Sequence, residues 1–293
     1  MTFRQTHRGL FVGLVTLDLV YLVDRPPTHN QKIVASDYTV SAGGPATNAA
    51  VAFSHLGNQA SVLGALGTHP MTQLILTDLQ QYGVTLQDLD AERTEPPPVS
   101  SIMVTRTTGE RAVVSINAVK TQAIASRIPA HSLQNVDVVL IDGHQMDVGR
   151  AIATQAHAQK IPVVIDGGSW KVGFETVLPL ADYVICSANF HPPGCQTIEA
   201  VMTYLVNLGI PHVAITQGHQ PIAYWANNQV GQIEVPIVNA VDTLGAGDIF
   251  HGTFCHAILQ APFTAALAIA ARVAAQSCQH FGTRRWMEQA IEP

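Results

Sequence analysis

Asp242-Thr243-Leu244-Gly245-Ala246-Gly247-Asp248-Ile249-Phe250 carries three small residues straight into an apolar helical run. The first N–H groups of a helix have no intrahelical partner and stand at the positive end of its dipole, so this stretch can hold a phosphate. Glycines there let the backbone approach a ligand with no Cβ in the way. Asp248 would repel a resting anion, so its presence needs a reason. It has one if it accepts the proton of a hydroxyl attacking a phosphoryl group. On this segment alone, an ordinary helix-start carboxylate explains Asp248 equally well. The third glycine of a dinucleotide fingerprint is Phe250 here, and the chain has no Walker A motif, so a nucleotide would bind by another route.

A second stretch, Ala42-Gly43-Gly44-Pro45-Ala46-Thr47-Asn48, also sets glycines before a helix, with Asn48 in its first turn. Paired glycines and an Asn amide suit the hydroxyls of a polyol, though a loop and a polar helix start would look the same. Asp18 sharpens the reading. It stands in the apolar run 14–23, read as following the first strand, where a carboxylate is costly unless it bonds to something. Two neighbouring sugar hydroxyls would suffice.

Outward from these segments, strand-like and helix-like runs alternate, which predicts a mostly parallel sheet covered by helices. Strands are expected near 10–14, 61–66, 136–142, 161–166, 182–186 and 212–216. Helices are expected near 46–56, 71–81, 148–157, 197–208, 246–259 and 264–280. Residues 33–40, and the pair 100–105 and 111–116 about a Thr108-Gly109 turn, look antiparallel and fall outside the alternation. They predict a small β lid over the ligand edge of the sheet. The chain therefore reads as one α/β domain, residues 1–293, with lid strands drawn from about 15–40 and 98–118.

The 47% hydrophobic content supports a large core, yet no apolar run reaches the ~18 residues that span a bilayer. Arg4, His7 and Arg8 before a short strand are not a signal-peptide layout, so a cytoplasmic protein with no membrane partner is expected. A net charge of -6 with no basic run argues against nucleic acid. The four cysteines form no CxxC pair, and the 13 histidines no HExxH, so neither a disulfide framework nor zinc is suggested.

The segments around Asp248, Gly43-Gly44-x-x-x-Asn48 and Asp18, with Thr216-Gln217-Gly218, resemble the ribokinase/PfkB carbohydrate kinase family over nearly the whole chain. The runs GLVTLDLVYLVDRPP, SIMVTRTTGER and AVDTLGAGDIFHG look closest to its ketohexokinase and sulfofructose kinase members. The resemblance implies a ribokinase-like three-layer α/β/α sandwich with a mostly parallel central sheet and a small β-sheet lid. It implies ATP-dependent phosphorylation of a sugar hydroxyl, on a ketose-like substrate or related polyol. Asp248 would be the general base, and the amides of Gly245, Ala246 and Gly247 the anion hole. Asp18, Gly43, Gly44, Asn48 and Asn117 would hold the sugar. Thr216 and Gly218 would lie along the nucleotide, and Asp242 and Thr243 would bind a monovalent cation such as K+ or shape the anion hole. ATP with Mg2+ would be the donor, the metal's ligands in the protein being unknown, and the lid would be the contact of a homodimer.

The chain also departs from that pattern. Ser187 and Phe190 stand where many members carry an Asn-x-x-Glu motif tied to Mg2+ and phosphate, and Pro221 replaces the second glycine of the nucleotide loop. Asp166 and Asp142 each end a strand and serve a ligand or cap a turn; Arg111 could meet an anionic sugar tail or stand in solvent. Two other functions remain open. One is a nucleoside kinase, for which Tyr21 or Tyr38 of the lid would supply the aromatic. The other is a sensor that binds without turnover.

Overall fold

The computed structural model describes residues 6–289; Arg4 of the amino-terminal reading lies outside them. The chain begins β1 (Arg8–Val12), β2 (Thr16–Val23), β3 (Asp37–Gly43), α1 (Pro45–His55), β4 (Gln59–Gly64), α2 (Thr72–Gln81) and β5 (Val84–Asp88). It continues through β6 (Val99–Thr105), β7 (Arg111–Ser115), β8 (Val138–Ile141), α3 (Met146–Gln159), β9 (Val163–Gly167), α4 (Phe174–Val177) and β10 (Tyr183–Ser187). It ends α5 (Ile198–Asn207), β11 (His212–Gln217), β12 (Gln220–Ala226), β13 (Gln229–Ile233), α6 (Ala246–Ile258) and α7 (Phe263–Ser277).

The large sheet has the order β13-β12-β11-β10-β9-β8-β1-β4-β5, and every pairing from β11 to β5 is parallel. Parallel strands are covered on both faces, so they read as unbroken apolar runs, as Val138-Val139-Leu140-Ile141 does. Alternate residues then feed two cores. Phe11, Val62, Leu140, Val164 and Ile185 face α1, α6 and α7, whereas Leu10, Val12, Val139, Ile141 and Val163 face α3 and α5. This is the expected three-layer sandwich.

The small sheet has the order β3-β2-β6-β7. Its inner face carries Val20, Ile102 and Val104 onto Phe281, Val241 and Leu244, which pins the lid to the loop before α6. The lid strand expected over residues 33–40 instead occupies Asp37–Gly43, and residues 31–35 are irregular. Asp18 follows the first strand as expected and lies within β2, inside the stretch of about 15–40 from which lid strands were drawn. The strands β5, β12 and β13 were not expected.

Two local features place the site. Helices α1 and α6 approach closely because their contact is made of small residues. A Cβ on Gly252 would stand 2.2 Å from the Ala49 carbonyl oxygen. That approach sets Asn48 of α1 beside the first turn of α6. The second feature is Asp142, a buried carboxylate just past β8 that accepts from the N–H groups of Leu14 (2.9 Å), Ala46 (3.2 Å) and His144 (2.8 Å). It ties the end of β1 to the start of α1. Burial alone would raise its pKa, but the charge and hydrogen bonding of His144 and the Leu14 N–H hold it down to about 2. Its stabilising contribution is therefore present above the ordinary carboxylate range and is lost as pH falls from about 4 towards 2. Asp142→Ala orphans three backbone donors and is expected to cost about 3–5 kcal/mol in urea unfolding at pH 7. The difference from wild type should shrink at pH 3.

Candidate active site

The carboxyl ends of the parallel strands, the start of α6 and the inner face of the lid share one edge of the molecule. At its centre, Asp248 Oδ2 accepts a hydrogen bond of 2.8 Å from Asn48 Nδ2. The N-cap of α6 is Gly245 at φ 71°, and no side chain caps the helix. A Cβ on Gly247 would meet nothing within 4 Å, so the first turn opens onto free space where an anion can approach. Burial raises the Asp248 pKa to about 6, and the charge of Asp166 adds to the shift. The Asn48 hydrogen bond, His251 and Arg111 oppose it.

The loop before α6 is braced from several sides. Asp242 accepts from the N–H groups of Leu244 and Gly282, both at 2.8 Å, which occupies both carboxylate oxygens. Burial still raises its pKa overall. Thr243 Oγ1 donates to the Gly109 carbonyl of the lid turn at 3.1 Å, and Arg111 Nη1 donates to Thr243 Oγ1 and O at 3.2 Å. Arg111 thus comes from the lid to the edge of the turn that opens α6. Beneath α6, the His251 imidazole lies 2.7 Å from the Gly247 carbonyl, 3.1 Å from that of Ile185, and 3.6 Å from Asp166.

Asp18 is 6% exposed, and its Oδ1 has no hydrogen-bond partner. Burial raises its pKa to about 6. Ser100 opposes the shift, the Asp248 charge adds to it and Arg284 opposes it. A buried carboxylate oxygen with nothing to accept from is expensive, and a ligand hydroxyl would satisfy it. Gly43 belongs to the same feature, since a Cβ there would stand 2.0 Å from Asp18 Oδ2. Ser100 pairs with Asp18 across the β2–β6 ladder, and its hydroxyl donates to Ser115 Oγ at 3.2 Å. The Asn117 N–H reaches the same Ser115 hydroxyl at 3.1 Å. Asn117 itself is exposed, at φ 49°.

Thr216 lies at the end of β11, and Gly218, at φ 64°, in the exposed turn to β12. Pro221, expected in the nucleotide loop, lies instead in β12 and is accommodated by a bulge. The β11–β12 register slips between Ile215 and Gln217, and Pro221 falls where no ladder N–H is required. Ser187 donates to the Gly168 carbonyl at 2.8 Å, and Phe190 is buried against Trp170 and Phe174. An aromatic cluster therefore fills the place where the family's acidic residue was sought. No motif points to Ser100, His251 or Asp78 in the site, nor to Arg284, whose guanidinium reaches both Asn48 and Asp78.

The layered sheet, the β lid and a carboxylate at the open start of a helix define a ribokinase-like carbohydrate kinase. The chain belongs to the pfkB family of carbohydrate kinases, whose family model matches residues 7–290. It is 25% identical to ribokinase of Bacillus subtilis over 284 residues, covering 94% of each chain. It is 22% identical to ketohexokinase of Mus musculus, covering 92% of this chain and 95% of that one. Among solved structures, the ribokinase of Giardia lamblia superposes with a TM-score of 0.80 at 19% identity, covering 97% of this chain and 98% of that one. Arabidopsis thaliana ribokinase complexed with ribose and ATP gives 0.77 at 20% identity, covering 98% and 100%.

Proposed function

We propose that the chain transfers the terminal phosphoryl group of ATP to a hydroxyl of a sugar, a ketose or related polyol, with Asp248 as the general base. The observation that carries this reading is the Asp248–Asn48 hydrogen bond at the open end of α6, beside the unpartnered oxygen of Asp18. Asp18, the backbone at Gly43 and Gly44, and Asn48 hold the sugar hydroxyls, with Asn117 at the lid edge. Asp248 takes the proton from the attacking hydroxyl. Charge spreading onto the phosphoryl oxygens meets the amides of Gly245, Ala246 and Gly247. Thr216 and Gly218 border the nucleotide, while Asp242 and Thr243 keep the anion-binding turn in shape. Closing the lid over the sugar excludes water.

The residues present fit ATP, because the uncapped helix start offers a cradle for its phosphates. Among the described residues no cluster of three or more His, Cys, Asp or Glu could hold a metal ion. Mg2+ would be carried on the nucleotide phosphates, and Asp166, whose charge acts on Asp248, is the carboxylate that would meet its water shell. The metal would neutralise charge on the transferring group. A monovalent cation beside Asp242 and Thr243 would add to the field there.

The nucleoside reading loses its aromatic. Tyr21 and Tyr38 pair on the lid face opposite Asp18, and Tyr38 is 67% exposed. That outer face, with Val40 and Val114 also exposed, supports a homodimer formed through the lid. No helix among the described residues is long and apolar enough to cross a membrane. The cytoplasmic reading rests on the four free cysteines, which a reducing compartment would keep as thiols. Mg·ATP with a panel of ketoses, aldoses, inositols and nucleosides, followed by ADP release, tests the function. Turnover of one sugar is expected; ligand binding without turnover would establish the sensor instead.

A further inference from the structure

Arg284 follows the last long helix and is 9% exposed. Its Nε and Nη2 reach Asp78 Oδ2 at 3.3 and 3.0 Å, Nη2 also donates to the Ala42 carbonyl at 2.7 Å, and Nη1 donates to Asn48 Oδ1 at 2.9 Å. Nη1 further reaches Thr283 Oγ1 at 2.9 Å, and the guanidinium stands over the Tyr82 ring at 5.4 Å. Its donors are spent inside the protein, so it is not built to meet a substrate.

Its effect lies in what it does to Asn48. A guanidinium can only donate, so the Asn48 atom facing it must be the oxygen. The Asn48 NH2 is then forced towards Asp248, where it donates to Oδ2. With that oxygen occupied, Oδ1 is left to receive a proton. We propose that Arg284 is a positioning residue, which through Asn48 fixes the orientation and favours the ionised form of the Asp248 carboxylate. Asp78 in turn holds Arg284, completing a chain Asp78–Arg284–Asn48–Asp248. The catalytic consequence rests on Asp248 acting as the base.

R284M alone leaves the half-buried Asp78 without its cation, so the informative variant is the double D78N/R284M, which leaves no unpaired charge. It is expected to lower kcat on the order of 100-fold with both KM values within about threefold, as misplacement of a reacting group does. N48A should lower kcat similarly, and combining it with the double variant should add little, because all act through one amide. Losses that multiply would overturn the proposal.

A second readout does not depend on turnover. The 13C signal of the Asp248 carboxyl, assigned with D248N, is titrated in wild type and in D78N/R284M. The other ionisable groups facing it, Asp166, His251, Arg111 and Asp18, are retained in both. The midpoint should move to higher pH in the variant; an unchanged midpoint refutes the proposal. In wild type alone, the Asn48 NH2 signals should shift with the same midpoint, so a variant that fails to fold still leaves a decisive measurement. If no sugar is turned over yet the midpoints move, the positioning chain stands and the kinase assignment falls.

Discussion

Asp248→Asn is expected to lower kcat by about 10³-fold, because a positioned general base contributes roughly 10²–10⁴-fold. Asparagine keeps an oxygen for the Asn48 amide but cannot take a proton, so sugar and ATP binding should survive. Wild-type kcat/KM should rise with pH through a limb near the Asp248 pKa of about 6. Near-wild-type turnover in Asp248→Asn would end the assignment of the base. The same change should stabilise the protein. The folded carboxylate holds its proton up to about pH 6, against an ordinary value of 3.8, so the folded state binds more protons between those limits. Stability is therefore lost as pH rises through that window. Asparagine escapes the loss, so the variant should gain on the order of 1–3 kcal/mol at pH 7 and nothing at pH 4. Thermal melts at the two pH values measure it. Asp18→Asn should show the same pH dependence, since its carboxylate is also pushed up to about 6 by burial.

The parts of the site legible in the sequence are those whose chemistry is local. Gly245-Ala246-Gly247-Asp248 and Gly43-Gly44-x-x-x-Asn48 each announce a helix start with room for a ligand, because small residues and a polar group must be contiguous to make one. The sheet was legible because parallel strands buried on both faces leave apolar runs such as 138–141. Asp18 reads as costly within a lid stretch of about 15–40, yet the bounds of its strand do not show. Both faces of β2 are covered near its start, so Thr16-Leu17-Asp18-Leu19-Val20 shows no clean alternation. The hairpin β12–β13 was hidden by Pro221, which reads as a breaker until the bulge beside it is seen. Arg284 was invisible for a different reason. Its meaning comes from Asp78, Ala42 and Asn48, residues brought to it only by the packing of α1, α2 and β3.

The adjacent glycines Gly43 and Gly44, proposed to hold the sugar, should fail in different ways when each is changed to alanine. Gly44 has φ 101°, in the region that L side chains rarely adopt, and its Cβ would stand 2.2 Å from the Leu14 carbonyl oxygen. Backbone faces backbone there and neither side can give. Gly44→Ala should cost about 3–5 kcal/mol in urea unfolding and lower Tm by about 10 °C. Gly43 carries no such strain, and the nearest atoms its Cβ would meet are those of the Asp18 carboxylate, 2.0 Å away. A side chain can swing aside. Gly43→Ala should therefore fold with a loss of about 1–2 kcal/mol but displace the group that grips the sugar. Losing a hydrogen bond to a charged group costs about 1.5–3 kcal/mol, so kcat/KM for the sugar should fall roughly 10- to 100-fold. KM for ATP should stay near wild type, because the amides proposed to meet its phosphates belong to a different helix. If Gly43→Ala folded and kept wild-type sugar kinetics, Asp18 could not be the sugar's anchor, and its unpartnered oxygen would need another donor.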